Sequence, residues 1–86
     1  MRHTVNLTRQ ARKDLLQLPA RIQAWVIATI DQLGEDPRPT GCKQLKGGVG
    51  YSIRRGDYRI VYEIHDEVLI VVVIRVAHRR DVYRGL

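Results

Sequence analysis

The stretch "YSIRRGDYRIVYEI", residues 51–64, constrains the fold of this chain more than any other. Two alternating runs flank Gly56-Asp57, and glycine supplies the positive φ that a two-residue hairpin turn requires. With that turn, Arg55 pairs with Tyr58 and Arg54 lies opposite Arg59, while Ile53 meets Ile60 and Tyr51 meets Tyr62. One face of the hairpin is therefore apolar and is built from cross-strand pairs. The other carries two arginines face to face. Directly opposed like charges destabilise a hairpin, so this pair asks for an explanation that folding alone does not give.

The next segment, "VLIVVVIR", extends the sheet. A three-residue loop at His65-Asp66-Glu67 predicts Ile64 beside Val68, Tyr62 beside Ile70, Ile60 beside Val72 and Tyr58 beside Ile74. Because side chains alternate with period two, a two-residue loop would turn Arg75 onto the core side. The longer loop leaves Ser52, Arg54, Arg59, Val61, Val73, Arg75, Ala77 and Arg79 on the face away from the core.

Upstream, the pattern changes. "HTVNL" alternates His3, Val5 and Leu7 against Thr4 and Asn6, which predicts a short opening strand. Thr8 suits an N-cap, and Ala11, Leu15 and Leu18 recur at helical spacing. Pro19 predicts a break, with a second helix from residues 19–20 that carries Ile22, Val26, Ile30 and Leu33 inward. Gly34 is expected as a left-handed cap, and Pro37 and Pro39 stop the helix. "EDPRPTGCKQLKGGVG" reads as a loop that crosses from helices to sheet and exposes Lys43 and Lys46. The expected architecture is α+β: one domain, residues 1–86, with an antiparallel sheet and an N-terminal helical hairpin on one face, in the order β-α-α-β-β-β.

Composition narrows the function classes. The 86 residues carry a formal net charge of +6, which suits a nucleic acid or an acidic protein partner. Cys42 is the sole cysteine, so no internal disulfide forms and a reducing compartment is expected. The N-terminus lacks an apolar secretory core. The longest apolar run, residues 68–74, falls far short of the roughly 20 residues of a membrane span. A cytoplasmic protein with no membrane partner is the expectation. His3, His65 and His78 lie far apart in sequence with no metal-ligand spacing, so neither metal nor cofactor is expected.

Arg54, Arg59, Arg75 and Arg79 approach one end of the sheet with few acids nearby. Long arginine stems could simply cover apolar sheet. A gathered cluster beside Tyr83 is better explained by a bound phosphate, which suits the fixed donor fork of arginine. Lys43, Lys46, Arg55, Arg75 and Arg80 are the surrounding candidates for contact with RNA.

"LTRQARKDLLQLP", a Leu-Lys-Gly after the prolines, "YSIRRGDYRIVYEI" and "IRVAHRRDVY" together resemble the RelE branch of the RelE/ParE toxin superfamily over nearly the whole chain. The resemblance implies a ribosome-dependent endoribonuclease that cuts mRNA in the ribosomal A site and is held inactive by an acidic RelB-like antitoxin. It also implies catalytic roles for Arg54, Arg59, Arg79 and Tyr83, with His78 where some members hold a basic residue. A lysine common in the first hairpin strand is matched here by Ser52, which carries no charge. The implied chemistry is attack of a ribose 2′-hydroxyl on the adjacent phosphate, giving a 2′,3′-cyclic phosphate and a 5′-hydroxyl. The arginines would stabilise the phosphorane. Tyr83 would serve as base, its phenolate favoured by neighbouring arginines, and Arg79 or His78 as acid. By strand parity His78 points toward the core, so a packing role stands beside the catalytic one. The first helix, with Arg9, Arg12 and Lys13, is the expected antitoxin surface. Two other readings stay open: a ParE-like inhibitor of DNA gyrase, and a degenerate member that only binds RNA or antitoxin.

Overall fold

The computed structural model describes residues 2–45 and 50–78. In chain order these form β1 (Thr4–Leu7), α1 (Arg9–Leu16), α2 (Ala20–Glu35), β2 (Lys43–Gln44), β3 (Gly50–Arg55), β4 (Tyr58–His65) and β5 (Ile70–His78). The five strands make one sheet in the order β1-β5-β4-β3-β2. The architecture is α+β as expected. The sheet, however, is mixed: β1 runs parallel to β5, pairing Thr4 with Ile70 through Leu7 with Val73. The expected loop also contributes a two-residue strand, with Lys43 across from Ser52 and Gln44 across from Tyr51.

Local chemistry explains the helices. The Thr8 hydroxyl accepts from the Ala11 N–H at 3.1 Å, the cap that its position predicts. Pro19 sits just outside α2, where its fixed φ fits and its missing N–H costs nothing. Ala11, Val26 and Leu33 then pack on Ile60, Tyr62, Ile64, Val71, Val73 and Val76 in one core. Gly34 departs from its expected role. It lies inside α2, which ends at Glu35, and positive φ among glycines occurs at Gly41 and Gly56 in the described residues. Gly34 instead allows close approach: a Cβ there would lie 3.0 Å from the His3 carbonyl oxygen, and the His3 N–H donates to the Gly34 carbonyl at 2.7 Å.

The first hairpin has the expected register throughout, from Arg55 with Tyr58 to Tyr51 with Tyr62. The second does not. A short 3-10 turn, Asp66–Val68, and Leu69 at φ 55° lengthen the connection, so His65 pairs with Ile70 and Tyr62 with Val73. Val71 and Val73 therefore fill the core, while Val68, expected there, is exposed. A register shift between Val61 and Tyr62 then inserts one extra residue, Ile74, into β5. A bulge of this kind reverses the facing of everything beyond it. In facing, the two departures cancel: Arg75, now across from Val61, and Ala77, across from Arg59, lie on the expected side of the sheet.

Candidate functional site

Strand pairing gathers the cationic residues of the open face. Arg54 and Arg59 are directly opposed, and two residues along the same face of β3 lies Ser52, opposite Lys43 on β2. Lys43, Ser52, Arg54 and Arg59 line one cavity of about 240 Å³ together with Gly41. Ser52 is buried at the cavity floor, 3% exposed, whereas Lys43 and Arg54 are exposed. Among the described residues neither Lys43 nor Arg54 has a carboxylate partner. Cations converging on a small polar hollow can attract a dianion or a phosphodiester.

The wall at Gly41 is held by a network that the sequence did not announce. The Tyr62 hydroxyl donates to the Pro37 carbonyl at 2.8 Å. The Arg38 guanidinium donates to Asp66 Oδ2 at 2.8 Å and to the Tyr51 hydroxyl at 3.2 Å, and it lies over the Tyr51 ring. On the other side of Asp66, His3 Nε2 lies 3.1 Å from Oδ1. Hydrogen bonding to Arg38, then to His3, holds the Asp66 carboxyl below the usual aspartate range. Burial first, and Cys42 second, push the Tyr62 phenol upward, so it stays a neutral donor. The segment between α2 and β2 is thereby strapped onto the sheet. Gly41, at φ 95°, turns the chain where an L side chain would be strained.

The remaining sequence candidates are placed differently. Arg55 stacks over the Trp25 ring at 5.4 Å, on the helix side of the sheet. His78 pairs with Tyr58, its ring edge-on to that phenol, also on the helix side and away from Arg54 and Arg59. This is the core-side facing that strand parity predicts for it. Arg75 is largely buried and donates through Nε to Asp14 Oδ2 at 3.0 Å. Arg9, Arg12 and Lys13 are exposed along α1. Lys46, Arg79, Arg80 and Tyr83 lie outside the described residues.

Asp14 is the buried acid that the sequence reading missed. β1 covers only the first part of β5, and α1 flanks the rest of that edge. There the Thr8 hydroxyl donates to the Ile74 carbonyl at 2.9 Å, and Asp14 Oδ2 accepts the Val76 N–H at 2.9 Å. Asp14 follows Ala11 by three residues, on the apolar stripe of α1. An acid at that position was the available signal.

Among the described residues no three His, Cys, Asp or Glu side chains group as metal ligands, and no helix is long and apolar enough to cross a membrane. The molecule is thus a small α+β domain that packs two helices on one sheet face and presents a basic cavity on the other. A family model described as the ParE toxin of the type II toxin–antitoxin system, parDE, matches residues 5–83. Toxin RelG of Mycobacterium tuberculosis is 43% identical over 86 residues, covering 98% of this chain and 99% of that protein. Toxin RelE of the same organism is 37% identical over 83 residues, covering 93% of this chain and 84% of that protein. The toxin in the crystal structure of the RelBE2 toxin–antitoxin complex from M. tuberculosis superposes with a TM-score of 0.80 at 40% identity, over 92% of this chain and 100% of that one. The chain belongs to the RelE/ParE superfamily of type II toxin–antitoxin toxins.

Proposed function

We propose that this toxin is a ribosome-dependent, metal-independent mRNA endoribonuclease, neutralised by an acidic RelB-like antitoxin. One observation carries the reading: Lys43, Arg54 and Arg59 line a single cavity on the face of the sheet opposite α1 and α2. Its support among relatives is the similarity to toxins named RelG and RelE, and to a toxin solved with its antitoxin.

The chemistry follows from the charges. As the 2′-hydroxyl attacks the scissile phosphate, negative charge builds on the nonbridging oxygens. Guanidinium groups fixed at Arg54 and Arg59 favour that state more than the substrate, which is the requirement for catalysis. Arg79 and Tyr83, which follow β5 in sequence, complete the proposal: Arg79 at the leaving 5′-oxygen and Tyr83 as base for the 2′-hydroxyl. His78, turned to Tyr58, is left with packing. The ribosome aligns the RNA, and that orientation supplies much of the rate. The protein acts in the cytoplasm, where its substrate is translated.

The test is primer extension on mRNA in translating ribosomes, run beside a gyrase supercoiling assay. Cleavage within the A-site codon with gyrase unaffected is the expected result. Intact mRNA with inhibited gyrase would replace this reading with the ParE-like one. Intact mRNA and active gyrase, with antitoxin still bound, would leave the degenerate reading.

A further inference from the structure

We infer that Lys43 is a catalytic residue of this toxin: its ammonium, delivered from β2, contacts the scissile phosphate at the place where β3 presents the uncharged Ser52. This rests on the endoribonuclease reading and names one more residue of the same site. The register is the first argument. Lys43 and Ser52 are direct cross-strand partners on the face that carries Arg54 and Arg59, so a charge on β2 reaches the position that β3 leaves neutral. Side chains paired in this way have Cβ atoms about 4.5–5.5 Å apart, within the reach of one lysine stem.

Cost is the second argument. Ser52 is 3% exposed, and a lysine there would bury an ammonium beside Arg54 and Arg59. Lys43 is exposed on the edge strand, so its stem can lie along the sheet while its charge stays hydrated until the phosphate arrives. The third argument is rigidity. The straps from Tyr62 to Pro37 and from Arg38 to Asp66 fix the chain just before β2, and the Leu45 N–H donates to the Gly50 carbonyl at 2.8 Å just after it. A solvated surface lysine needs none of that anchoring. A residue that must meet a phosphate oxygen does.

The experiment compares wild type with Lys43→Met, which keeps the stem, and Lys43→Arg, which keeps the charge. The first readout is single-turnover cleavage of ribosome-bound mRNA. The second is titration of the purified toxin with inorganic phosphate, followed by the backbone amide shifts of Lys43, Ser52, Arg54 and Arg59. Lys43→Met should slow cleavage on the order of a hundredfold with unchanged thermal stability, and Lys43→Arg should recover most of that loss. Phosphate should shift these amides in wild type and lose affinity in Lys43→Met. Wild-type cleavage matched by Lys43→Met overturns the role of Lys43 and leaves the endoribonuclease reading standing. A wild type that cannot cleave mRNA but binds phosphate through Lys43 overturns the endoribonuclease and the catalytic role while keeping the anion site. Absence of both cleavage and binding overturns all three.

Discussion

Asp14→Ala is the substitution that should damage this fold most for its size. The Asp14 carboxylate is 8% exposed and accepts from three donors: the Val76 N–H at 2.9 Å, Arg75 Nε at 3.0 Å and Gln10 Nε2 at 2.9 Å. Gln10 can turn to water, so its loss is minor. Val76 is 1% exposed, and a buried N–H without a partner costs about 1–3 kcal/mol. Arg75 keeps a side-chain exposure of 17%, which places its loss at or below the low end of the roughly 3–5 kcal/mol for breaking a buried pair. The two losses share one carboxylate and do not add fully. A net destabilisation of about 3–4 kcal/mol is expected, a large part of the roughly 5–15 kcal/mol that a domain has. For a domain of this size that lowers Tm on the order of 15–25 °C. Asp14→Asn keeps an oxygen for Val76 and should lose about half as much. Urea denaturation monitored by circular dichroism measures both. An Asp14→Ala variant within about 1 kcal/mol of wild type would refute the claim that α1 seals the edge of β5 through this side chain.

Three further outcomes are expected. The depressed Asp66 carboxyl contributes stability that is complete above the ordinary aspartate pKa, about 3.9, and disappears as pH falls through its lower folded value. Arg38→Gln, measured by urea denaturation from pH 6 to 2, should flatten that acid limb, and an unchanged limb would count against the strap. The raised Tyr62 phenol works at the other end: its contribution is complete below the ordinary tyrosine pKa, about 10, and is lost as pH rises above that. Tyr62→Phe should remove part of this alkaline loss, read from Tm between pH 8 and 11. Gly34→Ala should destabilise by about 1 kcal/mol, because crowding of the His3 carbonyl outweighs the gain in helix propensity. A higher melting temperature for that variant would contradict the close approach.

The first hairpin was fully legible because one turn dipeptide and strict alternation fix a register without help from the rest of the chain. Thr8 and Pro19 were legible for the same reason: caps are local chemistry. The second hairpin was not. Its 3-10 turn depends on Leu69 taking a left-handed conformation, and its bulge depends on how the uniformly apolar start of β5, residues 70–74, slides along β4. With valine at Val71, Val72 and Val73, no pattern of polarity marks which side chain faces inward. Arg75 and Ala77 reached their expected face, though not their expected partners, only because the bulge reversed the facing that the longer turn had set. β1 carried no sign of its direction, since parallel pairing to β5 is set by where the helices return the chain. Of the candidate site, Arg54 and Arg59 followed from the hairpin. Lys43 was visible only as an exposed loop lysine until β2 placed it across from Ser52.

We propose that the cavity between β2, β3 and β4 holds the scissile phosphate and stabilises its transition state. The most direct test is the single-turnover cleavage rate of ribosome-bound mRNA by Arg59→Ala, under toxin concentrations that saturate the ribosome. Because Arg59 would act on charge that develops during attack, the rate should fall on the order of a hundredfold to a thousandfold while antitoxin binding and Tm stay near wild type. A variant that cleaves at the wild-type rate would show that this cavity does not stabilise the transition state.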